Sequence, residues 1–121
     1  MHQIVFNEIS ASEVSAIPTL EQLELIAGFK LDDDFFEGKK EDPAFGVVER
    51  DGRRIFRYRS KDYRIYFTLE DGAVVVQRVL HADSLKDFMF RANMGGNEDH
   101  ALGQSRSFWK LIEAGENAPR R

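Results

Sequence analysis

The chain contains no cysteine among its 121 residues. That excludes disulfide staples, thiolate metal sites and a cysteine nucleophile. It fits a reducing compartment. Proline is scarce, at three residues, and there is no low-complexity tract and no internal repeat. No apolar run approaches the roughly 20 residues that span a bilayer. The start, MHQIVFNEIS, lacks a basic region followed by a long apolar core, so no secretory leader is expected. These absences point to a cytoplasmic protein with no membrane partner.

Positive charge is nearly missing from the first part of the chain. Residues 1–49 carry 3 basic and 11 acidic side chains, whereas residues 50–64 carry 7 basic and 2 acidic ones. The net charge is −4, so any attraction for a polyanion is confined to one short basic segment. Hydrophobic residues make up 42% and aromatics 12%, ten of them Phe. That composition folds around a core, and the length suits a single domain over residues 1–121.

Periodicity predicts the elements. Residues 3–9 read as a short strand. Ser10 with Glu13, and Thr19 with Gln22, have capping-box spacing around Pro18. Helices are expected near 11–17 and 20–29, the second with Leu20, Leu23, Ile26 and Ala27 on its apolar face. Residues 30–52 hold Asp32, Asp33 and Asp34 and the breakers Gly38, Pro43 and Gly46, and read as a long acidic loop. The three aspartates lack calcium-loop spacing, so no metal is expected there.

A three-strand meander follows. Residues 53–59 alternate, with Phe56 and Tyr58 on one face and Ile55, Arg57 and Arg59 on the other. Lys61 lies in the next connection. Residues 63–69 place Tyr63, Ile65, Phe67 and Leu69 opposite Arg64, Tyr66 and Thr68. Asp71-Gly72 is a hairpin signal. Residues 73–80 are almost continuously apolar and suit a central strand ending at His81. Residues 83–93 read as a helix with Leu85, Phe88, Met89 and Ala92 along its stripe. A last helix is expected near 104–114, carrying Phe108, Leu111 and Ile112 with Trp109 beside them, and then a frayed tail. The sum is an α+β fold: a mainly antiparallel sheet of about four strands, with an N-terminal helix pair and C-terminal helices on one side. The first strand should join that sheet parallel to a neighbour after its helical crossover.

The segment YRIYFTLEDGAVVVQRVLHADSLKDF, residues 63–88, resembles the signature region of the RelE/ParE toxin superfamily of type II toxin–antitoxin systems. It has the YR-aromatic strand, the acidic-Gly turn, the apolar strand ending in V-x-H and the following helix. The resemblance spans roughly residues 1–92 and leaves a helical extension from about 97. It implies a small toxin neutralised by a partner antitoxin. In the RelE-like branch the target is mRNA on the ribosome, cut without metal or cofactor; in the ParE-like branch it is DNA gyrase. Some members are neither enzymatic nor toxic and bind only a partner protein.

Metal-free RNA cleavage needs a base for the 2′-OH and cations on the phosphate. The resemblance assigns catalysis to Arg64, on the scissile phosphate, and His81, and places Arg57 at a basic position of the preceding strand; Arg59 on the same face, Lys61 in the connection and Tyr66 on the Arg64 face are further candidates for the RNA. Guanidinium forks suit phosphate, and an imidazole titrates near neutrality. Phe88 stands where some members carry tyrosine, and Ser84 where some carry arginine. Neither matches in chemistry, although Asp83 and Lys86 are polar neighbours. His2 and His100 stand apart, and no His-based metal site is expected.

Overall fold

The computed structural model describes residues 3–31, 33–86 and 97–121. The chain runs β1 (Gln3–Phe6), α1 (Glu8–Ser15), α2 (Thr19–Gly28), α3 (Asp33–Phe36), β2 (Phe45–Arg50), β3 (Arg53–Ser60), β4 (Tyr63–Glu70) and β5 (Ala73–His81). A helical stretch α4 (residues 82–86) follows, then α5 (Glu98–Gly103) and α6 (Arg106–Asn117). The strands form one sheet of order β1-β5-β4-β3-β2. β1 lies parallel to β5 and every other pairing is antiparallel. The fold is therefore α+β, with five strands where about four were expected.

The extra strand is β2, inside the stretch expected to be a long loop. Its pairing with β3 is closed by Asp51-Gly52, both at positive φ (51° and 81°). Asp71-Gly72 closes β4–β5 in the same way. A two-residue turn with both φ positive matches the twist of a hairpin, and glycine adopts it freely. Asp33 and Asp34 lie on the one-turn helix α3.

Each face of the sheet is buried, so the helices are not all on one side as expected. On the first face Leu25, Phe29, Phe45, Tyr58, Ile65 and Phe67 pack together. Half-buried Phe35, Phe36 and Phe56 complete this aromatic cluster. On the second face Ile55, Tyr66 and Leu80 lie under Leu102, Phe108, Trp109 and Ile112 of α5 and α6. The alternation expected in β3 holds: Tyr58 enters the first core and Ile55 the second. Leu85 of α4 is buried in the second core. Phe88, Met89 and Ala92 of the expected stripe lie outside the described residues, and no described helix is long and apolar enough to cross a membrane.

Three local readings change. β1 stops at Phe6 because Asn7, not Ser10, caps α1. The Asn7 side chain accepts from Ser10 N at 2.7 Å, and Ser10 Oγ accepts from Asn7 N at 3.0 Å, a reciprocal box. On α2, Leu20, Leu23 and Ile26 face solvent (78%, 59% and 42% exposed), while Leu25 turns inward. Gln22 stays inward as well, because its amide donates to Val14 O at 2.7 Å. The tail is pinned instead of frayed: Glu8 N donates to Pro119 O, Arg121 N donates to Phe6 O, and Arg120 pairs with Glu70.

Asn7 does more than cap. Its Nδ2 donates to Gln77 O at 3.0 Å and Gly115 O at 2.8 Å, tying α1, β5 and α6 together. Truncation removes a cap and orphans buried carbonyls. Asn7→Ala is expected to cost about 2–3 kcal/mol. Urea unfolding should show a lower midpoint at an unchanged slope.

Candidate functional site

The basic segment folds into β3, β4 and the turn between them. Cross-strand register sets Arg57 beside Tyr66 and Arg78, and Arg59 beside Arg64 and Leu80. Residues paired directly across strands share a face. The four arginines Arg57, Arg59, Arg64 and Arg78 therefore lie on the second face, the one that α5 and α6 cover.

Two of these guanidinium groups are buried and held in the same manner. Arg57 donates through Nε and Nη2 to the Asp99 carboxylate at 3.1 and 2.7 Å, and through Nη1 to Ala44 O at 2.8 Å. Arg64 donates through Nε and Nη2 to Glu98 at 2.9 and 3.2 Å, and through Nη1 to Lys61 O and Tyr63 O. Each fork is filled by a planar carboxylate, the geometry it would use on a phosphate. Arg78 is held likewise by Glu13 at 2.8 Å and donates to Leu111 O.

The geometry of α5 makes this possible. Asn97 caps it by accepting from His100 N at 3.1 Å, which directs Glu98 and Asp99 of the first turn at the sheet. Gly103 rests on the β2 backbone at Glu49 O, with no room for a Cβ, and Gly46 leaves space for the Arg57–Asp99 pair. Trp109 Nε1 donates to Gly103 O at 2.9 Å, locking α6 to α5. Further along β3, Arg53 pairs with Glu113 and Glu116 and lies 4.9 Å over the Trp109 ring.

The residues expected to act together are thus divided. Arg59 and Lys61 are exposed; Arg59 donates to Pro43 O and Lys61 pairs with Glu24 at 2.6 Å. Tyr66, expected on RNA, is fully buried and packs edge-on to Phe108. Its hydroxyl is buried and has no hydrogen-bond partner among the described residues. His81 sits on the opposite face from Arg64, beside Tyr63, in the register Tyr63↔His81 and Arg64↔Leu80. Its Nδ1 accepts from Asp83 N at 3.0 Å.

The cause is one residue. Leaving the Asp71-Gly72 turn, β4 and β5 pair Glu70↔Ala73, Leu69↔Val74 and Thr68↔Val75. Continued, that register would set Arg64 and His81 on one face. Between Phe67↔Val76 and Tyr66↔Arg78 the register shifts, leaving Gln77 as an extra residue. This β-bulge turns every later side chain of β5 to the other face. Sequence reading also missed Glu98 and Asp99 as arginine partners. The available signal was an adjacent acidic pair just ahead of a strongly amphipathic C-terminal helix.

No family model and no curated protein matches the chain. Among solved structures it is similar to the toxin–antitoxin complex RelBE2 from Mycobacterium tuberculosis. The identity is 20% and the TM-score 0.49, over 66% of this chain and 96% of that one. A match at that level assigns neither a target nor a chemistry.

Burial pushes the Tyr66 hydroxyl pKa well above its ordinary value of 10.0, and Glu98 and Asp99 nearby push the same way. Folded protein therefore keeps this proton where unfolded chain loses it. Stability should fall as pH rises through about 10. Tyr66→Phe removes both that penalty and an unsatisfied buried group. It should leave stability at pH 7 unchanged or raised by about 1 kcal/mol, and flatten the alkaline loss in urea unfolding across pH 8–11. A marked loss of stability at pH 7 would show that the hydroxyl has a partner.

Proposed function

We propose that this chain is the toxin of a type II toxin–antitoxin pair, cytoplasmic, neutralised by a partner antitoxin and directed at mRNA on the ribosome. The observation that carries this reading is the form of the signature segment. Its YR strand, DG turn, apolar strand ending in His81 and following helical residues make one continuous unit at the centre of the sheet. Arg64 stands in its middle strand and Arg57 on the strand beside it. The apolar α2 residues Leu20, Leu23 and Ile26 are exposed, which suits a chain that works with a protein partner.

In its RelE-like form the action is metal-independent cleavage: the ribose 2′-OH loses its proton and attacks the phosphorus, the P–O5′ bond breaks, and a 2′,3′-cyclic phosphate and a protonated 5′-OH result, with Arg57 and Arg64 on the phosphate. That requires the two forks to exchange Asp99 and Glu98 for phosphate oxygens, and α5 to leave the sheet together with α6, which Trp109 locks to it. Exposing Leu102, Phe108, Trp109 and Ile112 costs about 1.5–3 kcal/mol each. At a factor of ten per 1.4 kcal/mol, the open form without a partner is rarer than roughly one molecule in 10⁴. A ribosome or an RNA must supply that energy on binding.

A second reading is a superfamily member that binds without cutting RNA, either gyrase-directed or confined to a protein partner. The placement of His81 on the face away from Arg64 favours it, since acid–base chemistry needs both within reach of one phosphate.

Tightly induced expression in a host without the antitoxin separates these readings, with methionine and thymidine incorporation followed in parallel. The leading reading expects methionine incorporation to fall first, by tenfold or more. Arg59→Ala/Lys61→Ala, which changes only exposed cations, should weaken the effect. Thymidine falling first would point to gyrase. Neither falling, with folded protein present, would leave the partner-binding reading.

A further inference from the structure

We infer that a second cationic site, between the β2–β3 turn and the first turns of α6, binds the phosphodiester backbone of single-stranded RNA. The choice of RNA over another polyanion rests on the translational reading above. A cavity of about 390 Å³ opens here, lined by Arg50, Arg53, Arg106 and Lys110 with Trp109 among them. Asp51 and Glu113 are the acidic groups at its wall, so the lining is net positive in a chain of net charge −4.

Its cations are of two kinds. Arg53 is positioned: Glu113 and Glu116 hold it, and it lies over Trp109. Arg50 is partly committed, donating to Gln104 O at 3.3 Å with Asp51 at 3.6 Å. Arg106 and Lys110 are exposed and have no carboxylate partner among the described residues. They stand four residues apart on α6, where like charges repel and destabilise a helix slightly. Nothing in the packing requires them, since α6 is fastened by Phe108 and Ile112 on its other side and by the Trp109 bond to Gly103. Two free cations beside two oriented guanidinium groups, in a concave surface, are what successive phosphates need. The site is clear of the buried Arg57 and Arg64 forks, so it requires no opening of α5 or α6.

The test titrates a fluorescein-labelled 20-nucleotide single-stranded RNA against the full chain, reading anisotropy and the emission of Trp109, the chain's one tryptophan. Arg106→Ala/Lys110→Ala should fold normally by circular dichroism, bind about tenfold more weakly, and lower the salt slope of log K by one to two. Lys30→Ala/Lys39→Ala, which removes the same charge from another surface, should bind as the parent does. In the parent, Trp109 emission should change along the same curve as anisotropy. Absence of binding at low salt, equal weakening in both double variants, or tighter binding of duplex DNA would overturn the site. The expression assay reports separately: RNA binding without any fall in methionine incorporation sinks the translational reading and keeps the site. A fall in methionine without RNA binding does the reverse.

Discussion

A guanidinium group buried in a protein interior cannot be left without a counter-charge, and this chain buries two on neighbouring strands of one sheet. Arg57 and Arg64 cannot shed their protons to escape, so their carboxylates must come from whatever covers the sheet. Asp99 and Glu98 supply them from consecutive positions on one helical turn. Within the basic segment Arg53, Arg57 and Arg64 are the seat for acidic residues of the C-terminal helices: Glu98, Asp99, Glu113 and Glu116. Breaking such a pair on one side only costs about 3–5 kcal/mol.

Much of the fold was readable from pattern alone. The three-strand meander, its alternation and the Asp71-Gly72 turn follow from side-chain period and turn chemistry, and they appear at the expected positions. The hidden parts have physical causes. β2 was masked by Pro43 and Gly46, although Asp51-Gly52 carried the same hairpin signal that was used further on. The α2 stripe was misplaced because Leu20, Leu23 and Ile26 mimic a core face. What turned α2 was the Gln22 bond to Val14 and the insertion of Leu25 and Phe29 beneath it.

The candidate site was less legible, because it depends on two non-local facts. One is the extra residue at Gln77. Simple alternation from the turn sets His81 on the same face as Arg64, and a single bulge undoes it. The bulge is itself supported by Asn7 and Ser10, which donate to the Gln77 and Val76 carbonyls, and those contacts span more than sixty positions of sequence. The other is the docking of α5. A phosphate and a carboxylate look alike to a guanidinium fork, so a pair of arginines with the right spacing reads as an anion site whether its anion is a ligand or the chain itself. The exposed cations without a carboxylate partner among the described residues are instead Arg106 and Lys110 on α6 and Arg59 at the end of β3.

The central claim is that the basic strand face serves first to anchor the C-terminal helices. A double-mutant cycle on Arg57→Ala and Asp99→Ala, read by urea unfolding, tests it most directly. The account predicts a coupling energy of about 2 kcal/mol or more, with each single variant clearly destabilised and the double variant less so than their sum. A coupling near zero, with Asp99→Ala as stable as the parent, would contradict it.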